Sequence, residues 1–199
     1  MNHLIGQGFS QHLARACCWA VAVSVLPPLQ HLVRASVPGQ VWATDFQFDS
    51  DWKGRVFKVC NVIDEFTRQH LALRVERRMG AVDVIEMLDL AVLAHGAPQV
   101  LRADNGPEFI AAAVGRWASE HDTLQAFIPP GQPWHNGFVE SLHNRMRDEL
   151  LEDNMFEDLD HARALISAWS RRYNEEYPHS ALGWLSPNQY ARQWAQHHQ

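Results

Sequence analysis

The sequence predicts an α/β fold, a mixed sheet flanked by helices. Three observations carry that prediction. Three apolar-rich runs joined by short polar links come first, the pattern of an antiparallel meander. Strand-like and helix-like patterns then alternate to the end of the patterned region. With 199 residues, 46% of them hydrophobic and 20% charged, the chain suits one well-buried domain with appendages; disorder, collagen and coiled coil are excluded.

Residues 1–38 read as an atypical N-terminal extension. Its apolar run, Ala16 to Leu26, is too short to span a bilayer. Met1 to Leu13 carries no Lys or Arg, and no clear cleavage site follows, so an extension or small packing helix is preferred over a signal peptide. Regular patterning starts after Val37-Pro38-Gly39-Gln40. Val41 to Phe48, Arg55 to Ile63 and Gln69 to Val75 are the three strands, linked by polar turns. Ala81 to His95 has helical spacing through Val84, Met87, Leu88 and Ala91, and Gly96 ends it. Val100 to Ala103 is a short strand, Pro107 opens a helix to Glu120, and Leu124 to Ile128 is a further strand. After the break Pro129 to Pro133, Asn136 caps a helix to Leu151, and another runs from Leu159 to Tyr173. Residues 39–193 form the core with its C-terminal helices, and 194–199 are a short polar tail.

Charge narrows the function. Lys and Arg total 17 against 23 Asp and Glu, a net charge of −6. A protein devoted to gripping phosphates is usually basic, so any nucleic-acid contact here is local or assisted. Cys17, Cys18 and Cys60 have no metal-ligand spacing and make no disulfide framework, which favours a cytoplasmic setting. The twelve histidines form no zinc pattern, and neither a Ser-His-Asp arrangement nor a Gly-rich phosphate loop is present.

Three carboxylates stand out. Asp45 lies mid-strand on the face of Val41 and Ala43, where an unpaired charge needs a cation, a donor or an exit to water. Asp104 ends a strand ahead of Asn105-Gly106-Pro107, and Glu140 lies beside the apolar stripe Val139, Leu142, Met146 and Leu150 of a helix. Alone, each is an ordinary strand, turn or surface residue. Together, two strand carboxylates and one helical carboxylate can converge as a hard-oxygen site for Mg²⁺ or Mn²⁺.

The segments Trp42 to Phe46, Asp104 to Phe109 and Pro133 to Ser141 resemble the three blocks of the integrase catalytic core, shared by retroviral integrases and the DDE transposases of bacterial insertion sequences. Thirty-five residues separate Asp104 from Glu140, the interval of that family. Arg147-Asp148-Glu149-Leu150-Leu151 and the stretch from Tyr173-Asn174 through Pro178-His179 to Ser186-Pro187 resemble insertion-sequence transposases made from two overlapping reading frames. The chain departs from them at Leu142-His143-Asn144 and at Tyr177, and residues 1–38 do not resemble the helix-turn-helix-like region such proteins carry ahead of the core.

The resemblance implies a ribonuclease H-like fold, with Asp45, Asp104 and Glu140 as a catalytic triad holding two Mg²⁺ or Mn²⁺ ions. It implies cleavage of a DNA strand by water, then attack of the freed 3′-hydroxyl on target DNA. Arg147, Asn136, His143, His135 and Trp134 are the expected DNA contacts. The expected partners are transposon ends and target DNA, an upstream-frame DNA-binding protein or fusion, and further copies of the chain, with no membrane. A truncated, inactive remnant and a non-transposing ribonuclease H-like nuclease or binding module are the alternatives.

Overall fold

The computed structural model describes residues 33–129 and 136–198. The apolar run Ala16 to Leu26, Cys17, Cys18, Trp134 and His135 lie outside the described residues.

Five strands form one sheet: β1 (Val41–Ser50), β2 (Val56–Asp64), β3 (His70–Glu76), β4 (Val100–Ala103) and β5 (Leu124–Phe127), in the spatial order β3-β2-β1-β4-β5. β1–β2 and β2–β3 pair antiparallel, as short links require. β4 and β5 join in parallel, because a helix intervenes before each. These helices are α1 (Ala81–His95) and α2 (Ala112–Glu120). The chain continues through α3 (Gly137–Met146), α4 (Leu159–Glu176) and α5 (Pro187–His197).

Alternation along β1 splits the core in two. Trp42 faces Cys60, Leu101 and the buried sides of α1 and α2. Ala43 faces the opposite way, onto Val139, Leu142 and Met146 of α3 and Ile166 and Trp169 of α4. Asp45, two residues on, therefore lies on the α3 side of the sheet. β4 in register sends Arg102, and by the same period Asp104, to that side as well.

Two elements differ from the sequence reading. Helix α2 starts at Ala112 rather than Pro107, since Phe109 and Ile110 bond back to the Gly106 carbonyl in a turn. The polar end is a helix, α5, not a tail. Pro187 takes its first turn, Ser186 Oγ accepts from the Gln189 amide at 3.3 Å, and Gln189 Oε1 accepts from the Ser186 amide at 3.0 Å. That reciprocal cap offsets a weakly apolar sequence.

The motif residues near Tyr173 have structural work. Asn174 Oδ1 accepts from the His70 amide and its Nδ2 donates to the His70 carbonyl, both at 2.8 Å, so this side chain acts as a strand neighbour for the start of β3. The His70 ring itself is buried, with neither nitrogen hydrogen-bonded among the described residues. Burial, with His143 nearby, lowers its pKa to about 3. Its folded pKa lies below its unfolded value near 6.5, so its contribution is present above pH 6.5 and lost as pH falls. Below pH 6.5 each further unit should cost about 1.4 kcal/mol through this group. His70→Leu should therefore flatten the acid side of a melting-temperature profile between pH 6.5 and 4; an unchanged slope would assign the acid loss elsewhere.

Candidate functional site

Each carboxylate is placed by a different element. Asp45 sits in the middle of β1, and its Oδ1 accepts from the Phe46 amide at 2.7 Å. Asp104 follows β4, with Oδ1 accepting from the Gly106 amide at 2.9 Å. A Cβ at Gly106 would stand 2.9 Å from that same oxygen, so a larger residue there would make the Asp104 carboxylate shift. Glu140 lies on the first turn of α3, beside Val139, which is fully buried.

The three influence one another. Burial, reinforced by the charges of Asp104 and Glu140, raises the Asp45 pKa to about 6 against the Phe46 hydrogen bond. Such crowding of like charge is what a cation relieves. The donor set is all carboxylate oxygen, which fits Mg²⁺ or Mn²⁺ rather than a softer metal. Among the described residues no three acidic, His or Cys side chains already stand together as a ligand cluster. The Asp45 and Asp104 carboxylates are tied to backbone amides, whereas the Glu140 carboxylate makes no hydrogen bond to another described residue.

Helix α3 is held to the sheet by a polar latch that the sequence did not reveal. Asn61, fully buried and register partner of Asp45, meets His143 Nε2 at 3.0 Å. Gln47 Nε2 donates to the His143 carbonyl at 2.9 Å. His143, expected at the DNA surface, thus turns inward, and burial together with Arg147 lowers its pKa to about 4. Asn136 occupies the N-terminal boundary of α3, but its side chain makes no capping bond. Its φ of −108° and ψ of 20° are not the extended geometry a cap adopts, and its Oδ1 is buried without a partner among the described residues. Arg147 Nη2 donates to the Phe48 carbonyl at 3.3 Å, alongside the end of β1. It opens a π-helical turn, Arg147–Leu151, that widens α3 there.

Among the described residues no helix is long and apolar enough to cross a membrane. Cys60 is a free, buried thiol whose pKa burial pushes up to about 12, which makes it inert.

A five-stranded mixed sheet in the order β3-β2-β1-β4-β5, flanked by helices, defines a ribonuclease H-like fold, and solved structures agree. The simian T-cell lymphotropic virus intasome matches with a TM-score of 0.69 at 17% identity, over 80% of this chain and 56% of that one. The magnesium-bound catalytic core domain of HTLV-2 integrase in its trimeric form matches with a TM-score of 0.63 at 16% identity, over 79% and 99%. Integrase core domain profiles match residues 35–133 and 121–187. An uncharacterised protein of insertion element IS136 from Agrobacterium fabrum is 30% identical over 76% of this chain and 82% of its own length. The chain belongs to the integrase core domain family, on the insertion-element branch related to retroviral integrases. It is 37% identical to uncharacterised proteins of IS407 from Burkholderia multivorans and IS476 from Xanthomonas euvesicatoria, in each case over 81% of this chain. It spans 58% and 47% of their lengths, about half of each.

Proposed function

We propose that this chain is the catalytic part of an insertion-sequence transposase, cutting a DNA strand with water and joining the freed 3′-hydroxyl to target DNA. The observation that carries the reading is the electrostatic convergence of Asp104 and Glu140 on Asp45 within an integrase core domain. Two Mg²⁺ or Mn²⁺ ions, when bound, would supply an activated attacking oxygen and a stabilised leaving oxygen. Asp45 from mid-β1, Asp104 from the turn after β4 and Glu140 from α3 are the residues that would hold them. The HTLV-2 integrase catalytic core, solved in complex with magnesium, supports that choice of metal.

Arg147, on the same face of α3 as Glu140, is the phosphate contact. Asn136, His135 and Trp134 are further DNA contacts in this reading, while His143 holds α3 to β2 through Asn61. End recognition belongs to an upstream-frame protein, because a chain of net charge −6 holds duplex DNA weakly by itself. The setting is the bacterial cytoplasm, and joining two transposon ends calls for more than one copy.

The test is Mn²⁺-dependent nicking and joining of a terminal-repeat duplex with the upstream protein added, run beside the Mn²⁺-induced shift in melting temperature. The expected result is both a shift and joined product. A shift with no nicking identifies an inactive remnant, nicking without joining identifies a nuclease, and the absence of both shift and nicking overturns the metal assignment.

A further inference from the structure

The turn between β1 and β2 is built with unusual care for a loop with no assigned role. Asp51 is buried and binds four donors: Oδ1 accepts from the Lys53 and Arg55 amides, each at 3.0 Å, and Oδ2 from the Arg55 and Arg77 guanidinium groups at 2.8 and 2.5 Å. Burial raises its pKa, but these bonds outweigh burial and hold it at about 2. Gly54 at φ +70° closes the turn, and the Trp52 amide donates to the Phe156 carbonyl at 2.9 Å. The tip is therefore rigid, yet it presents Trp52 with 59% of its surface exposed and, one strand-end away, Phe48 with 49%. Large exposed aromatics on a fixed scaffold mark a contact surface.

Its chemistry is cationic as well as aromatic. The chain has only two lysines, Lys53 and Lys58, and both are on this hairpin. Lys53 Nζ stands 5.0 Å from the Trp52 ring centroid, and Lys58 Nζ stands 5.0 and 5.5 Å from those of Phe46 and Phe48. Lys58 is shared with Glu108 at 2.6 Å, whereas Lys53 and Arg147 have no ion pair among the described residues. The Phe46 and Phe48 rings stand on the face of the sheet opposite Asp45, and the row reaches the α3 side through the β1 backbone. Phe46 donates its amide to Asp45, Lys58 links Phe46 to Phe48, and the Phe48 carbonyl holds Arg147.

From exposed aromatic rings set beside cations that have no ion pair among the described residues, we infer that the β1–β2 hairpin is a binding subsite for unpaired DNA, with bases stacking on Trp52 and Phe48 and phosphates meeting Lys53 and Arg147. Exposed aromatic faces bind unpaired bases whatever their sequence, and the flanking cations track the backbone. A duplex, with its bases already stacked, offers no such face. The inference rests on the transposase reading for its choice of DNA as ligand, but its test does not need strand transfer.

The full chain is titrated at low salt into a fluorescein-labelled single-stranded oligonucleotide of about 15 bases and, separately, into its duplex, with anisotropy as the readout. The wild type should bind the single strand more tightly. Stacking contributes about 1–3 kcal/mol per base, so Trp52→Ala should weaken that binding roughly 5- to 100-fold. Lys53→Ala should weaken it less and make the dependence on salt shallower. Both variants should keep the wild-type melting temperature and the Mn²⁺ shift, which separates this subsite from the metal site. No single-strand binding by the wild type, equal affinity in Trp52→Ala, or a change in oligomeric state with unchanged DNA affinity would each overturn the inference; the last would make the tip a protein contact.

Discussion

Asp104→Asn should abolish the Mn²⁺-induced rise in melting temperature and reduce Mn²⁺-dependent strand joining by roughly 10²- to 10³-fold, the scale of losing one preorganised charge stabiliser. Glu140→Gln should do the same. The variants keep shape but lose anionic oxygen, so the donor set falls short for a hard cation. A second signature has the opposite sign. The folded pKa of Asp45 is raised to about 6 from an ordinary value of 3.8 by burial and by its two acidic neighbours. A group raised in this way contributes stability that is present below pH 3.8 and lost as pH rises through 6. Removing the Asp104 charge relieves part of that loss, so in chelator at pH 7.5 Asp104→Asn should melt no lower than the wild type, and above it if repulsion dominates. Glu149→Gln is the control on the extension of α3: its carboxylate accepts from Trp169 Nε1 at 3.0 Å, and an amide oxygen can still do so. Were Asp104→Asn and Glu140→Gln to keep the metal shift and the joining, the ligands would lie elsewhere.

The parts of this fold that depend on local pattern are legible in the chain. Strand alternation puts Asp45 on the face of Ala43, and the turn after Val100 to Ala103 puts Asp104 at a strand end, where both are found. What the pattern cannot carry is pairing over long sequence distance. Asn61 sits in an apolar run and reads as a strand residue; its partner His143 lies 82 positions away, and only the packing of α3 on β2 brings them together. Sequence alone therefore leaves His143 at the surface, although its backbone carbonyl and ring both face the sheet. The α5 helix has a readable signal in Ser186-Pro187 and Gln189, but its low apolar content argues for a tail. Asn136 shows the limit of residue preference: it stands at a helix start without the backbone angles that capping needs.

The largest stability effect should come from Arg102, a residue with no sequence signal at all. Arg102 is 4% exposed on β4, and its guanidinium donates to Glu65 Oε1 and, at 2.6 Å, to the Val33 carbonyl. Glu65 is equally enclosed, and its amide donates to the Val41 carbonyl at 3.0 Å, so the pair ties the end of β2 to β1 and β4. Two positions beyond Arg102 is Asp104, so the same tie sets where that carboxylate stands. A buried pair adds little net stability over apolar residues, but removing one partner strands the other charge, at about 3–5 kcal/mol. Arg102→Leu should therefore lower the melting temperature by roughly 6–20 °C, since each kcal/mol moves it about 2–4 °C in a chain of this length. The loss depends on pH in a stated direction. Burial raises the Glu65 pKa to about 7 even against the pull of Arg102, and without that pull it rises further. The folded variant then keeps Glu65 neutral, at a cost that begins near the ordinary value of 4.5 and grows with each pH unit above it, so the Arg102→Leu penalty should be small at pH 5 and grow towards pH 8. Arg102→Leu combined with Glu65→Leu should recover most of the loss at pH 8, because nothing charged is left buried. A double variant no more stable than Arg102→Leu alone, or a penalty flat from pH 5 to 8, would show that lost packing and not a stranded carboxylate is what Arg102 prevents.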